Sequence, residues 1–435
     1  MEKDITDYLV VHPDQSTLYR VGEEPITYAE GKLTDKAKTR YLNIRVQLEK
    51  GYLEDKINEC SQPDVKIENL SKEHMELIDK MVDSITSEVG RAIVGLTVLQ
   101  LTLKSIEPAQ SIRLHKGSNN SNAFSWQEGV PMRVLDKNFI TPVLRKYGLL
   151  KLNADGFMMT RSLAENYPYS GLYKAAIRGA RSEWIEITNL VEDGHLHPED
   201  SLKYMISSLL NKSDEFQKLS DDTLVILEKY LDSGVDYKAI LTLIQEFVET
   251  SEYSARIFEV SIHSFFQALD ELKLLAGYLK PLSQMRSANK KHGNIGDIEV
   301  TSTKNSLSII EAWDAKYGKS YMRDELEEIS DKLELHVETE IAGFVTNQDP
   351  DLREEIQKRV KEIEDLFNVS IYIQSFGEWI DFQIEKHSID PKNIGSIWIK
   401  CLTESLCQKR RDIAPIDEPT YEWVLTLNKL LSSKL

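Results

Sequence analysis

The stretch GDIEVTSTKNSLSIIEAWDAK, Gly296 to Lys316, decides how this chain is read. Asp297 opens one strand, Ile295 to Thr301. A second strand, Leu307 to Trp313, runs into Asp314-Ala315-Lys316. The polar turn Thr303, Lys304, Asn305, Ser306 lies between them. Side chains two apart on a strand share a face, so Asp314 and Lys316 point the same way. A hairpin closing over this turn brings Asp297 beside them. The residues before Asp314 (Ser308, Ile309, Ile310, Glu311, Ala312, Trp313) are largely apolar and place the strand inside a sheet. Ionisable groups there need pairing or a metal, because buried charge is costly.

Two carboxylates and an ammonium on one sheet edge can hold a divalent cation and activate a water. That is the chemistry phosphodiester hydrolysis requires. Asp297 and Asp314 are the expected Mg²⁺ ligands. Lys316 is the expected group for orienting the attacking water and stabilising charge on the phosphate. Glu259, on the helix preceding the hairpin (ARIFEVSIHSFFQAL), is a further candidate ligand, direct or through water. The bland alternative is a solvated strand end with an acidic turn, since a bare D…DxK string arises often by chance.

Outward from this stretch, alternating helices and strands indicate a mixed sheet covered by helices. The spacing predicts helices over Tyr253–Leu275, Arg323–Leu335 and Gly377–Lys386. It predicts strands over Ile341–Val345 and Val369–Gln374. Asp349-Pro350 reads as cap and first turn of a helix ending near Phe367. The order of helix with Glu259, basic loop, GDIEV, hairpin, IIEAWDAK, helix, IAGFV, helix and VSIYIQ resembles the PD-(D/E)xK nuclease core. Within that superfamily it is most similar to type II restriction endonucleases. The resemblance covers roughly residues 250 to 390, with Gly296 standing where the family often has proline. It implies Mg²⁺-dependent, site-specific cleavage of double-stranded DNA by a homodimer. Asp297, Asp314 and Lys316 would be the motif residues, and Glu259 the helix glutamate.

The fold class expected is therefore α+β. A helical N-terminal region (1–110) and a DNA-recognition region (111–250) precede the nuclease domain (251–435), with the second boundary near Thr250. Leu70–Ile106 holds two helical stretches, the second with an apolar run from Ile93 to Leu103. Phe139 to Tyr147 reads as a short helix stopped by Gly148. Asn153-Ala154-Asp155-Gly156 marks a hairpin between Leu149–Leu152 and Phe157–Thr160. Helix and hairpin together suit a winged-helix module, or equally a small β-wing on a helical domain. Further helices are expected over Tyr173–Ile187, Pro198–Leu210, Ser220–Leu231 and Tyr237–Glu249.

DNA contacts are expected from Arg161, Asn166, Lys174, Arg178 and Arg181, the last three recurring along one face of the Tyr173–Ile187 helix. Arg286, Asn289, Lys290 and Lys291, just ahead of Asp297, would grip phosphate near the metal. A solvated cationic face, with Ile177, Ala180 and Trp184 packed inward, is the alternative for the first group.

The 435 residues carry a net charge of −18, with 41% hydrophobic and 29% charged side chains. That charge disfavours a uniform phosphate-binding surface. Net charge nevertheless reports solubility and steering rather than the field inside a cleft. Three cysteines (Cys60, Cys401, Cys407) form no metal-type cluster, and the first residues lack a signal-peptide pattern, which points to a reducing cytoplasm. No apolar run approaches the roughly 20 residues that cross a bilayer, and no Walker A loop or GxGxxG is present, so neither membrane nor nucleotide cofactor is expected. Two rivals stand: a modification-dependent or other phage-defence nuclease of the same fold, and a non-catalytic DNA-binding or scaffold protein.

Overall fold

The structure, a computed structural model, describes residues 7–85, 91–117, 126–150, 179–282, 294–409 and 420–435. The chain divides into two compact units, Met1–Glu215 and Phe216–Leu435, ahead of the boundary near Thr250 expected from sequence.

The first unit opens with an antiparallel meander of β1 (Tyr8–Val11), β2 (Gln15–Tyr19) and β3 (Ile26–Ala29). A mostly helical start, as expected from the sequence, overlooks this sheet. Its strands are four or five residues long, and only Ser16 and Leu18 of β2 alternate inward with conviction. Helices then follow: α1 (Asp35–Glu49), α2 (Tyr52–Cys60), α3 (Lys72–Asp83) and α4 (Arg91–Ile106). Thr34 and Ser71 start α1 and α3 by accepting the N–H of Ala37 and His74, respectively. α4 is buried on all sides from Ile93 to Leu103, as its unbroken apolar run demands.

The short helix expected around Phe139 forms from three pieces. These are α5 (Met132–Leu135), a π-helical turn (Asp136–Ile140) and α6 (Thr141–Lys146), ended by Gly148 at φ +66. α7 (Arg181–Glu192) packs on α3 and α4, with the Trp184 indole donating to Gln100 at 2.7 Å. The expected helix Tyr173–Ile187 is corrected here. Gly179 takes φ +92 and Ala180 is non-helical, so the helix starts at Arg181. Arg181 therefore does not continue a helix face running through Lys174 and Arg178. The expected hairpin, of which Leu149 and Leu150 alone are described, otherwise falls outside the described residues. α8 (Pro198–Asp232) is one 35-residue helix where the sequence suggests two. Lys212-Ser213-Asp214-Glu215 interrupts the apolar pattern but contains neither Gly nor Pro to break the backbone.

The second unit is mixed α+β. It begins with α9 (Tyr237–Thr250) and α10 (Ser254–Glu271). The sheet consists of β4 (Gly277–Leu279), β5 (Ile298–Ser302), β6 (Ile309–Lys316), β7 (Ile341–Thr346) and β8 (Ser370–Ser375), in that order. β4, β5 and β6 pair antiparallel, and β6, β7 and β8 pair parallel. Two crossovers make the parallel part possible: α11 (Arg323–Leu333) and α12 (Glu354–Phe367). α12 starts later than Asp349-Pro350 suggests, because Asp351 turns back to accept from the Arg353 N–H and side chain. α13 (Phe376–Lys386) begins at a Ser375/Glu378 capping box, and α14 (Pro391–Glu404), a π-helical turn and α15 (Thr420–Ser433) complete the described unit.

Strand alternation, shifted by one residue at a bulge opposite Val300/Thr301, sorts β6 between two cores. Trp313 joins Phe258, Phe265, Trp379 and Trp398 under α10, α13 and α14. Ile309 and Ala312 join Leu326, Ile329, Phe344, Ile356 and Ile371 under α11 and α12. Each fully buried large side chain contributes roughly 2 kcal/mol, so β6 is clamped on both faces. No helix among the described residues is long and apolar enough to cross a membrane.

Candidate active site

The site is built by the antiparallel pairing of β5 with β6. Ile298 stands opposite Trp313, so Asp297 and Asp314 are the next residues in line. Both lie on the sheet face that carries Ala312, with Lys316 one strand repeat further along. The Lys316 Nζ is 2.8 Å from Asp314 Oδ2. Asp314 is hydrogen-bonded to Asp297, and Asp297 Oδ2 accepts the Ala315 N–H at 3.1 Å. The trio expected from the sequence is thus assembled.

Its electrostatics follow from burial. Asp314 is 7% exposed. Desolvation, then the Asp297 charge and hydrogen bond, push its carboxyl up to about 8, while Lys316 opposes the rise. For Lys316, desolvation alone would pull the ammonium down, but Asp314 and Asp297 outweigh it and the net shift is upward. At neutral pH Asp314, beside Asp297, therefore carries a proton. A divalent cation between them would replace that proton and let both carboxylates ionise.

Gly296 has a steric role. A Cβ there would sit 2.6 Å from the Trp313 carbonyl oxygen, so the approach that places Asp297 beside Asp314 excludes any side chain, proline included.

Glu259 lies on α10 in an ion pair with Arg256 of the same helix. Among the described residues no three His, Cys, Asp or Glu side chains form a group that could hold a metal, so Glu259 does not complete a three-carboxylate set with Asp297 and Asp314. Arg181 is the half-buried first residue of α7 in the first unit. Arg161, Asn166, Lys174, Arg178, Arg286, Asn289, Lys290 and Lys291 lie outside the described residues.

Two buried carboxylates on the same hairpin escape a reading centred on the D…DxK spacing. Glu311 accepts Lys386 Nζ on both oxygens, at 2.7 and 2.8 Å, and the Trp313 indole at 2.8 Å. Glu299, two residues after Asp297, is satisfied by backbone amides and Lys280. The signal was present: each is an acid inside an apolar strand, the same anomaly that singles out Asp314.

No protein-family model matches the chain, and no curated protein matches it.

Proposed function

We propose that this chain is a Mg²⁺-dependent endonuclease acting on double-stranded DNA, of the PD-(D/E)xK kind and restriction type. The observation that carries the reading is the buried Asp314 beside the half-buried Asp297, with the Lys316 ammonium 2.8 Å from Asp314. An acid held protonated at neutral pH by burial and a neighbouring carboxylate, next to a held cation, suits a hard divalent ion and an anionic substrate.

In this reading Asp297 and Asp314 hold the ion through carboxylate oxygens. A bound Mg²⁺ would supply Lewis acidity to the phosphate and lower the pKa of a nearby water. Lys316, kept protonated by its two acids, places positive charge where negative charge grows on the phosphate. Ala315 N–H orients Asp297, and the clamp on β6 keeps Asp314 and Lys316 in register. The wider parts of the reading rest on the resemblance. They are a winged-helix recognition half, a short target sequence and a homodimer matched to a palindrome.

The test is cleavage of supercoiled plasmid by purified protein, with and without Mg²⁺. Wild type is expected to give discrete fragments only with the metal. Asp314→Asn and Lys316→Ala should each slow cleavage by about 10²–10³-fold. Wild type that neither cuts nor binds divalent metal would leave the scaffold reading instead. Parallel digestion of methylated and unmethylated DNA separates restriction from modification-dependent cleavage.

A further inference from the structure

We propose that Glu299 is a positioning residue that fixes the metal-binding loop, acting on Asp297 through the backbone; the proposal rests on the nuclease reading. Asn294 to Asp297 precede β5 and belong to no strand. The β5–β6 pairing brings Asp297 level with Asp314, but the ladder begins at Ile298 and leaves the preceding loop to other restraints. Glu299 supplies the missing restraint. It is 2% exposed, and its Oε1 accepts the N–H of Ile295 at 2.5 Å and of Gly296 at 3.3 Å. Its Oε2 accepts Lys280 Nζ at 2.6 Å.

The same loop is gripped from its other side. Lys332 of α11 donates to the Ile295 carbonyl at 3.0 Å, and Gly296 rests against the Trp313 carbonyl. Lys280 is itself tied down, since its N–H donates to Glu299 O and its carbonyl bonds His263 Nε2 at 2.9 Å. A chain of bonds thus runs from α10 through Lys280 and Glu299 to the peptide that carries Asp297. A carboxylate suits this place because one oxygen can receive two converging N–H groups while the other keeps a cation. Groups behind a ligand that hold its orientation tune metal affinity strongly.

Three variants separate this role from mere support of the fold. Glu299→Ala removes both restraints. Glu299→Gln combined with Lys280→Met keeps an oxygen for the two amides and removes the ammonium that an amide NH₂ could not face. Lys332→Met frees the Ile295 carbonyl and also breaks the ion pair with Glu328 on the same helix, leaving Glu299 in place. The readouts are Mn²⁺ binding by electron paramagnetic resonance, the Mg²⁺ dependence of plasmid cleavage, and the melting temperature.

Glu299→Ala is expected to raise the Mg²⁺ needed for half-maximal cleavage roughly 10–100-fold, with the rate largely recovered at saturating Mg²⁺. The double variant should stay near wild type, and Lys332→Met should move the same way as Glu299→Ala by less. Unchanged metal dependence in Glu299→Ala would overturn the proposal. So would equal losses in the alanine and double variants, tracking melting temperature alone. If Glu299→Ala does not fold, the double variant and Lys332→Met decide. Wild type that binds no Mn²⁺ and cuts no DNA removes the nuclease reading and this proposal together. Wild type that does both, with variants indistinguishable from it, removes only the role of Glu299.

Discussion

Asp314 is an acid that the fold prevents from ionising. In the unfolded chain it titrates near its ordinary 3.8, and in the folded protein burial and Asp297 raise it to about 8. Between those values the unfolded state has released a proton that the folded state retains. Stability contributed by this group is therefore present below pH 3.8 and lost as pH climbs through 8. A divalent ion at the pair takes the proton's place, so it should stabilise more as pH rises. The melting temperature gained on adding Mg²⁺ is expected to be larger at pH 8 than at pH 6. Asp314→Asn should melt higher than wild type at pH 8 without metal and gain nothing from Mg²⁺. A Mg²⁺ increment independent of pH would refute this account of the pair. At this scale the sequence was informative where alternation met anomaly: Asp314 and Lys316 stand out as charges ending an apolar strand. Glu259 was less legible, because a helix position has no spacing rule that says whether it reaches a strand end or, as found, pairs with Arg256 a turn away.

At the scale of elements, legibility followed the strength of the periodic signal. β7 and β8 appear within one residue of their expected bounds and β6 within three, since β-branched and aromatic runs between polar turns admit one interpretation. The N-terminal meander was hidden because strands of four or five residues carry too few alternations to outweigh the helices that follow. Gly179 was an overlooked breaker: in a cation-rich run it reads as tolerated, yet its φ of +92 ends the pattern. Close approach of strands is likewise invisible in the letters. Gly343 of β7 has no room for a methyl group, which would lie 2.6 Å from Tyr372 O and 2.7 Å from Cζ3 of Trp313. Gly343→Ala should cost about 1–3 kcal/mol by overpacking. Urea unfolding followed by tryptophan fluorescence measures it. A change below about 0.5 kcal/mol, the range of ordinary surface substitutions, would show that the sheet relaxes around the added carbon.

For the molecule as a whole, each unit holds one fully buried neutral histidine among the described residues, and the two frame a pH dependence that differs between units. His115 in the first unit is lowered to about 4 by burial and by the charge of Arg133. His263 in the second is also lowered to about 4, by burial and by Arg256, against the bond it makes to Lys280 O. As pH falls from 6.5 towards 4, the unfolded chain binds protons at these positions and the folded chain does not, so stability falls with pH in both units. Asp314 acts in the opposite direction and belongs to the second unit alone. Scanning calorimetry from pH 4.5 to 9 should therefore show acid destabilisation of the first unit, while in the second unit His263 and Asp314 offset each other below about pH 6.5. A decline from about pH 6.5 to 8 should be confined to the second unit, and Mg²⁺ should remove that decline while leaving the acid limb of the first unit unchanged. His263→Gln should remove that offset, so that the second unit gains stability as pH falls from 6.5 towards 4, without altering its response to Mg²⁺. The prediction fails if Mg²⁺ shifts both limbs equally, because a general ionic effect would then replace specific displacement of one proton at one pair of acids.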